Sequence, residues 1–357
     1  SILLFQNDTV TLRIDSDTGL ITQYTVNGKE IFATGDSSMI SSLMRNPTGG
    51  DLTSAAISPN VLNELKKLSQ NYSETKHLPE GYTITKVSNT QYRIELDYVW
   101  VTYPIKSMRV FSYDTAYTVV YDIYADGEIQ VSVKYEPTVS DTVPLELSSV
   151  MTLTSDFTTM SWFGMGPGET YSDKVADSRV DTYEDVKIVD QIGTEYLYST
   201  GSGDKTELRW MALERADGSG IVITSDTKLF AVNVSKTNPW STSKYVSASA
   251  NKDTVLRVIG QQRGVSANTV YDQQYSSAKY IEPGVNYTYS FRIVPVEAGY
   301  DADQISRTVL NSGTNLNAGE AINLNNNSFA LSNSASGTSY VSSVAEGNVE
   351  LKDALGN

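Results

Sequence analysis

Cysteine is absent from this sequence and histidine occurs once, as His77. The lack of cysteine excludes a cysteine nucleophile, a disulfide framework and a cysteine-ligated zinc site. A histidine-based triad could be built only on His77, which lies in the polar stretch SETKHLPEGYT and is interpreted as a solvated loop residue. Most nucleophilic and zinc-dependent chemistries are therefore excluded or poorly supported.

Basic residues are also scarce, since 27 Lys and Arg stand against 42 Asp and Glu and leave a net charge of -15. This charge would repel a phosphate backbone, so no nucleic-acid partner is expected. No apolar run is long enough to span a bilayer, and the N-terminus lacks the basic and apolar regions of a signal peptide. We expect no membrane association, and, because the first residue is not Met, we expect a segment of a longer polypeptide. The absent cysteine and the 23 tyrosines favour a bacterial extracellular or cell-surface protein and leave a cytoplasmic one open.

Apolar and polar residues alternate with a period of two along most of the chain, beginning with residues 8–33. Short turns such as Asn27-Gly28 and Asp126-Gly127 interrupt the alternation, and both dipeptides are strong hairpin signals. The pattern predicts a long antiparallel all-β architecture in which each strand returns through a short turn.

Helices are predicted at only two places, residues 58–72 and residues 301–313. The alternating pattern continues without a linker to about residue 297, after which the composition becomes rich in Asn, Ser and Ala. We therefore predict one large β domain over residues 1–297. Residues 298–357 are predicted to be a connector and the start of a further module.

No residue pattern indicates a metal or a cofactor. The spacing Asp15-x-Asp17-x-Gly19 superficially suggests calcium, but it lacks the later bidentate glutamate and lies inside a hairpin pattern, so it is interpreted as a turn. The glycine-rich stretch GMGPG is not a phosphate loop, because no helix follows it.

The most unusual stretch is WFGMGPGETYSDK, residues 162–174. Its three glycines and Pro167 predict a defined loop between strands. Acidic and aromatic residues follow the glycines, and carboxylates beside exposed rings suit a sugar, whose hydroxyls donate to the acids while its C–H face stacks on a ring. The alternative, that Trp162 and Phe163 belong to the core and the acids to a solvated rim, stays open.

Three motifs carry a family resemblance. The first matches W-x-G-x-G-P-x-E-x-Y-x-D through Trp162, Gly164, Gly166, Pro167, Glu169, Tyr171 and Asp173. The second, SLMRNPTGGD, resembles R-x-P-x-D-N-D through Arg45, Pro47 and Asp51, and the third, GDKTELRW, resembles G-x-x-T-E/D-x-R-W through Gly203, Thr206, Glu207, Arg209 and Trp210. With them the chain resembles, over roughly residues 3–295, the C-terminal domain of the large bacterial β-galactosidases of glycoside hydrolase family 2, a segment sometimes encoded as a separate small chain.

This resemblance implies a galactose-mutarotase-like supersandwich, two large antiparallel sheets packed face to face, here with a short C-terminal extension. In the resembled family the two catalytic glutamates lie on a (β/α)₈ barrel that precedes this segment, and no strand–helix alternation of that kind occurs here. We therefore expect no catalytic residue in this chain. The expected partners are the upstream barrel of the same polypeptide and a carbohydrate, a β-galactoside or related glycan.

One aromatic residue is predicted to reach the sugar. In the resembled enzymes a late loop, with a pattern like G-G-D-D-S-W-x-P, brings a tryptophan to the rim of the barrel's active site, and gapless alignment puts Tyr271 at that position. The alternative of an ordinary strand or loop tyrosine is left open. The predicted substrate-binding residues are Tyr271, Trp162, Glu169, Tyr171, Asp173, Arg45, Asp51, Glu207, Arg209 and Trp210.

Other functions were also compared with the sequence. A stand-alone carbohydrate-binding module would bind polysaccharide in an acidic and aromatic groove made of Trp162, Glu169, Tyr171, Arg209, Trp210 and Trp240. A structural domain of a large surface protein is a further alternative. Sugar epimerases share the supersandwich but use a histidine acid and a glutamate base, and His77, outside any matching motif, supports that chemistry poorly.

Overall fold

The computed structural model describes residues 2–33, 39–42, 45, 76–101, 115–137, 146–191, 203–226, 229–236, 252–265, 281, 285–308, 330–333 and 348–349. The predicted helix at residues 58–72 lies outside these ranges, as do Asp51, Trp240 and Tyr271. No helix within the described ranges is both long and apolar enough to cross a membrane.

The described residues form strands almost throughout, in the chain order β1 (Ile2–Gln6), β2 (Val10–Asp15), β3 (Ile21–Val26), β4 (Lys29–Glu30), β5 (Met39–Ser42), β6 (Lys76–Ser88), β7 (Gln91–Val101), β8 (Thr115–Tyr124), β9 (Ile129–Pro137), β10 (Glu146–Leu153), β11 (Thr159–Gly166), β12 (Arg179–Lys187), β13 (Lys205–Leu208), β14 (Trp210–Glu214), β15 (Gly220–Thr224), β16 (Phe230–Ser235), β17 (Thr254–Gln262), β18 (Tyr287–Val296), β19 (Ala330–Asn333) and β20 (Asn348–Val349). A 3-10 turn spans Ile188–Gln191, and within the described ranges one short α-helix, α1, spans Ala302–Arg307. The helix predicted at residues 301–313 is thus confirmed over Ala302–Arg307, and its residues after 308 lie outside the described ranges.

The strands make three antiparallel sheets. One has ten strands in the order β12-β11-β14-β15-β18-β9-β8-β7-β6-β20, and two have five, β19-β1-β2-β3-β4 and β13-β16-β17-β10-β5. The predicted all-β antiparallel class is confirmed.

Both small sheets pack on the same face of the large one. The ring of Phe5 meets that of Tyr92 edge to face at 5.6 Å, and Tyr24 donates a hydrogen bond to the Gly127 carbonyl, which joins the first small sheet to the large one. Tyr289 of β18 shares a 3.0 Å hydrogen bond with Ser149 of β10, which joins the second. One continuous apolar core fills the space between these layers.

The predicted turns are present where the backbone requires them. Asn27 (φ 52°) and Gly28 (φ 74°) form the two-residue turn between β3 and β4, and Gly127 (φ 96°) lies in the turn between β8 and β9. The Asp15 carboxylate accepts the Asp17 N–H at 2.8 Å inside the β2–β3 turn, which confirms the turn interpretation of that stretch.

Two local predictions are wrong. β11 continues to Gly166, so Gly164 and Gly166 lie in a strand and not in a loop. The glycines are needed for close approach: a Cβ on Gly164 would lie 2.5 Å from Leu208 Cδ2, and one on Gly166 would lie 2.6 Å from the Tyr183 ring. His77 is also not in a loop, because β6 includes it and pairs it with Trp100 of β7.

Residues beyond the predicted boundary at 297 pack on the sheets. Helix α1 lies against β14 and β15, β19 pairs with β1, and β20 pairs with β6. The boundary itself stays a prediction.

At Gly260 the second small sheet, through β17, lies directly against β18 of the large sheet. Gly260 lies at a bulge of β17, and a Cβ there would lie 2.1 Å from Cγ of Tyr289. We predict that Gly260→Ala lowers the free energy of unfolding by about 1–3 kcal/mol or more, because the ring cannot move out of a packed core without strain. Urea unfolding measures this. Gly168→Ala is the matched control, since no atom lies within 4 Å of its added Cβ, and an equal loss in both variants would contradict the prediction.

Candidate functional site

The loop that follows β11, residues 167–174, is bonded to the segment that enters β13, residues 203–206. The Thr170 N–H donates to the Asp204 carbonyl at 2.8 Å, and the Thr170 hydroxyl oxygen accepts from the Thr206 N–H at 3.0 Å. The Gly203 N–H donates to the Glu169 carboxylate at 3.0 Å. Two of the three sequence motifs therefore hold each other in place.

Trp162 faces the interior. Its side chain is 1% exposed, its ring stacks on Tyr183 at 4.9 Å, and its Nε1–H donates to the Met165 carbonyl at 3.0 Å. The ammonium of Lys205 lies 5.0 Å from the ring centroid and donates to the Gly168 carbonyl at 3.0 Å. Because Lys205 is itself buried, its pKa is lowered to about 8.

Tyr171 and Glu169 form the turn of the 167–174 loop with Lys174. Tyr171 and Lys174 exchange two backbone hydrogen bonds of 3.1 Å, and the Lys174 ammonium pairs with the Glu169 carboxylate at 2.8 Å. Tyr171 is 2% exposed, and burial raises the pKa of its hydroxyl well above the ordinary value. Its ring is therefore part of the fold and offers no open face to a ligand in this structure.

Asp173 and Arg45 converge on residues 263–265, which we call the exit segment because it follows β17. The Val265 N–H donates to the Asp173 carboxylate at 3.0 Å. A Cβ on Gly264 would lie 2.3 Å from that carboxylate, so the contact requires glycine. The buried Arg45 donates to the carbonyls of Arg263 and Gly264 at 3.3 and 3.4 Å. Residues from two motifs distant in sequence thus fix one short stretch of backbone.

A buried charge cluster lies beneath this segment. Arg257 of β17 lies between two fully buried carboxylates, 3.3 Å from Glu146 of β10 and 3.5 Å from Asp204. Asn233 of β16 donates to Asp204 at 2.6 Å, and Gln262 donates to it as well. Burial raises the pKa of both carboxyls, and the Arg257 charge opposes that rise.

The cluster cannot bind a substrate in this structure, because both carboxylates are 0% exposed. None of the sequence motifs predicted this cluster. The available signals were Arg257 inside the apolar run TVLRVIG and Asp204 between two matched positions of the third motif.

The structure separates the remaining predicted residues. Trp162 pairs with Met211 and Phe163 with Trp210, so the two tryptophans lie on opposite faces of the large sheet. Arg209 lies over the Phe163 ring at 5.2 Å, and Glu207 is an exposed residue with φ 53°. The single groove of the carbohydrate-binding alternative is therefore not formed by these residues. No group of three or more metal-binding side chains occurs in the described part of the chain.

These features define an antiparallel β-sandwich domain whose motif residues mostly contact one another. A family model described as beta galactosidase small chain matches residues 6–293, and the chain belongs to this family. It is 25% identical over 183 residues to the β-galactosidase of Priestia megaterium, a match covering 50% of this chain and 17% of that protein.

A second relative is the β-galactosidase of Streptococcus thermophilus, 25% identical over 215 residues that cover 59% of this chain and 21% of that protein. The chain thus spans about a fifth of the length of these curated relatives. Among solved structures, a galactose mutarotase-like protein from Lactobacillus casei superposes with a TM-score of 0.41 at 8% identity and covers 83% of this chain and all of that one.

The lowered pKa of Lys205 gives a pH-dependent prediction. The unfolded chain keeps the ordinary value of 10.5, whereas the folded chain has about 8, so between these values the unfolded state binds more protons and stability rises with pH. Relative to Lys205→Met, which keeps the packing on Trp162 without a titrating group, the parent chain should gain roughly 3 kcal/mol between about pH 7 and pH 10.5. Urea unfolding at several pH values measures the difference, and a difference that does not change with pH would show that Lys205 titrates normally.

Proposed function

We propose that this chain is a non-catalytic domain of a β-galactosidase-type glycoside hydrolase. It supports a catalytic barrel upstream in the same polypeptide, whose reaction is the hydrolysis of terminal β-D-galactosides. It also contributes the ring of Tyr271 to the sugar site of that barrel.

One observation carries the proposal. The exit segment is held by Asp173 and Arg45, and Tyr271 follows Val265 by six residues in the sequence. Binding residues are commonly carried on loops whose ends a rigid framework fixes. A fixed starting point for the stretch that contains Tyr271 supports a role in presenting this aromatic ring to a neighbour.

The burial of Glu146 and Asp204 supports the non-catalytic part. Glycoside hydrolysis needs two carboxylates that flank the bond to be broken and can reach it. Glu146 and Asp204 share Arg257 and have no exposed surface, so they serve the fold. The family membership supports the β-galactosidase part.

Two polypeptides test the proposal: the chain alone, and the chain extended by the residues encoded before Ser1. We expect the chain alone not to cleave a nitrophenyl β-galactoside and the extended polypeptide to cleave it. Hydrolysis by the chain alone, or none by the extended polypeptide, would contradict the proposal.

In the extended polypeptide, Tyr271→Ala should raise KM for the galactoside between about twofold and twelvefold, because stacking on a ring contributes roughly 0.5–1.5 kcal/mol. Tyr271→Phe is the matched control, since it keeps the ring and should change KM much less. Steady-state kinetics of the three proteins give the comparison. An unchanged KM in Tyr271→Ala would show that this residue is not part of the sugar site.

A further inference from the structure

The outer face of the large sheet, opposite to Trp162, carries an open groove of about 790 Å³ between β11, β12, β14 and α1. We call it the outer groove. Its volume falls within the range of small-molecule sites. None of the contacts that fix the exit segment involves it, so its residues are available for another task.

The outer groove has an aromatic lining. Phe163 of β11 and Trp210 of β14 are direct neighbours across the ladder, and Tyr300 approaches them from the chain before α1. Phe163 and Tyr300 are partly exposed, and both pack with Ala302 in a small apolar cluster. Such rings can stack on the C–H face of a ligand.

One hydrogen-bond donor of this lining has no acceptor among the described residues. Trp210 is 6% exposed, and its Nε1–H is buried without a hydrogen-bond partner in this part of the chain. Buried polar groups are nearly always paired, so this N–H calls for an acceptor beyond the described residues.

Acceptors line the opposite wall. Glu184 and Asp185 are exposed on β12, and the Asp185 backbone is held by a 3.1 Å hydrogen bond from its N–H to the Ser161 hydroxyl. The other acids of the groove are engaged: Glu214 accepts from the Tyr300 hydroxyl, Asp301 caps α1, and Asp303 pairs with Arg307.

The chemistry selects the class of ligand. An anion would be repelled by Glu184 and Asp185, and a purely apolar ligand would offer these carboxylates no hydrogen-bond donor. A sugar hydroxyl both donates and accepts, and the sugar's C–H face suits the rings. We propose that the outer groove is a non-catalytic binding site for a neutral saccharide, independent of Tyr271 and of any catalytic barrel.

Titration of the 357-residue chain tests this proposal, with galactose, glucose, mannose, lactose and a β-1,4-linked galactotetraose as the probes. Calorimetry and tryptophan fluorescence should show saturable binding of at least one probe, with a dissociation constant on the order of 1 mM or lower. Asp185→Asn and Tyr300→Leu should each weaken that binding by at least about tenfold, whereas Tyr271→Ala should leave it unchanged.

Three results would overturn the proposal: no saturable binding of any probe, binding that the two groove variants leave unchanged, or displacement of the sugar by spermidine, which would indicate a cation site. Thermal unfolding of each variant checks that it is folded, and Asp185→Asn is chosen because asparagine tolerates the φ of 55° at this position. Because these titrations use the chain alone, their failure leaves the proposed function intact, and the failure of the hydrolysis assay leaves this site intact.

Discussion

The buried pairing of Arg257 with Glu146 and Asp204 is the constraint on which the rest of the site depends. A charge removed from water is strongly destabilising unless an opposite charge and hydrogen-bond partners meet it. The three residues come from β17, β10 and the position just before β13, so these segments must come together when the chain folds. Asn233 and Gln262 donate hydrogen bonds to Asp204 from β16 and the end of β17. The second small sheet is thereby fixed at the end where β17 leaves it.

This charge cluster in turn positions the exit segment, residues 263–265. Gln262 belongs to the charge cluster, and the three residues after it are held by Asp173 and Arg45. Asp173 belongs to the loop that is bonded to residues 203–206, which include Asp204. These contacts form a closed set, in which the described motif residues contact mainly one another and the exit segment. Tyr271, the residue proposed to contact the sugar, comes after these contacts in the sequence, six residues beyond Val265.

The sequence is informative where the cause of a structure is local. Asn27-Gly28 and Asp126-Gly127 mark hairpin turns because the backbone conformation at these positions favours those residues. The period of two identifies the strands because successive side chains point to opposite faces of a sheet. The same period, applied to the neighbours Trp162 and Phe163, also places Trp162 and Trp210 on different faces once the strand partners are known.

The sequence is less informative where the cause is distant. Gly164 and Gly166 suggest a loop by composition, but their role is to admit Leu208 and Tyr183 from other strands. The charge cluster joins Glu146 to Arg257, which lie more than one hundred positions apart. The sequence of one strand does not indicate which residue of another strand pairs with it. The outer groove likewise depends on α1 reaching the far face of the large sheet.

Amide hydrogen exchange of Val265, compared between the parent chain and Asp173→Ala, is the sharpest test of how the exit segment is held. We predict a protected amide in the parent and exchange at least about tenfold faster in the variant, because the carboxylate that accepts this N–H is gone. The Thr206 amide, bonded to Thr170, is the internal reference and should exchange equally in both proteins. Equal exchange of Val265 in the two proteins would contradict the claim that Asp173 holds the exit segment.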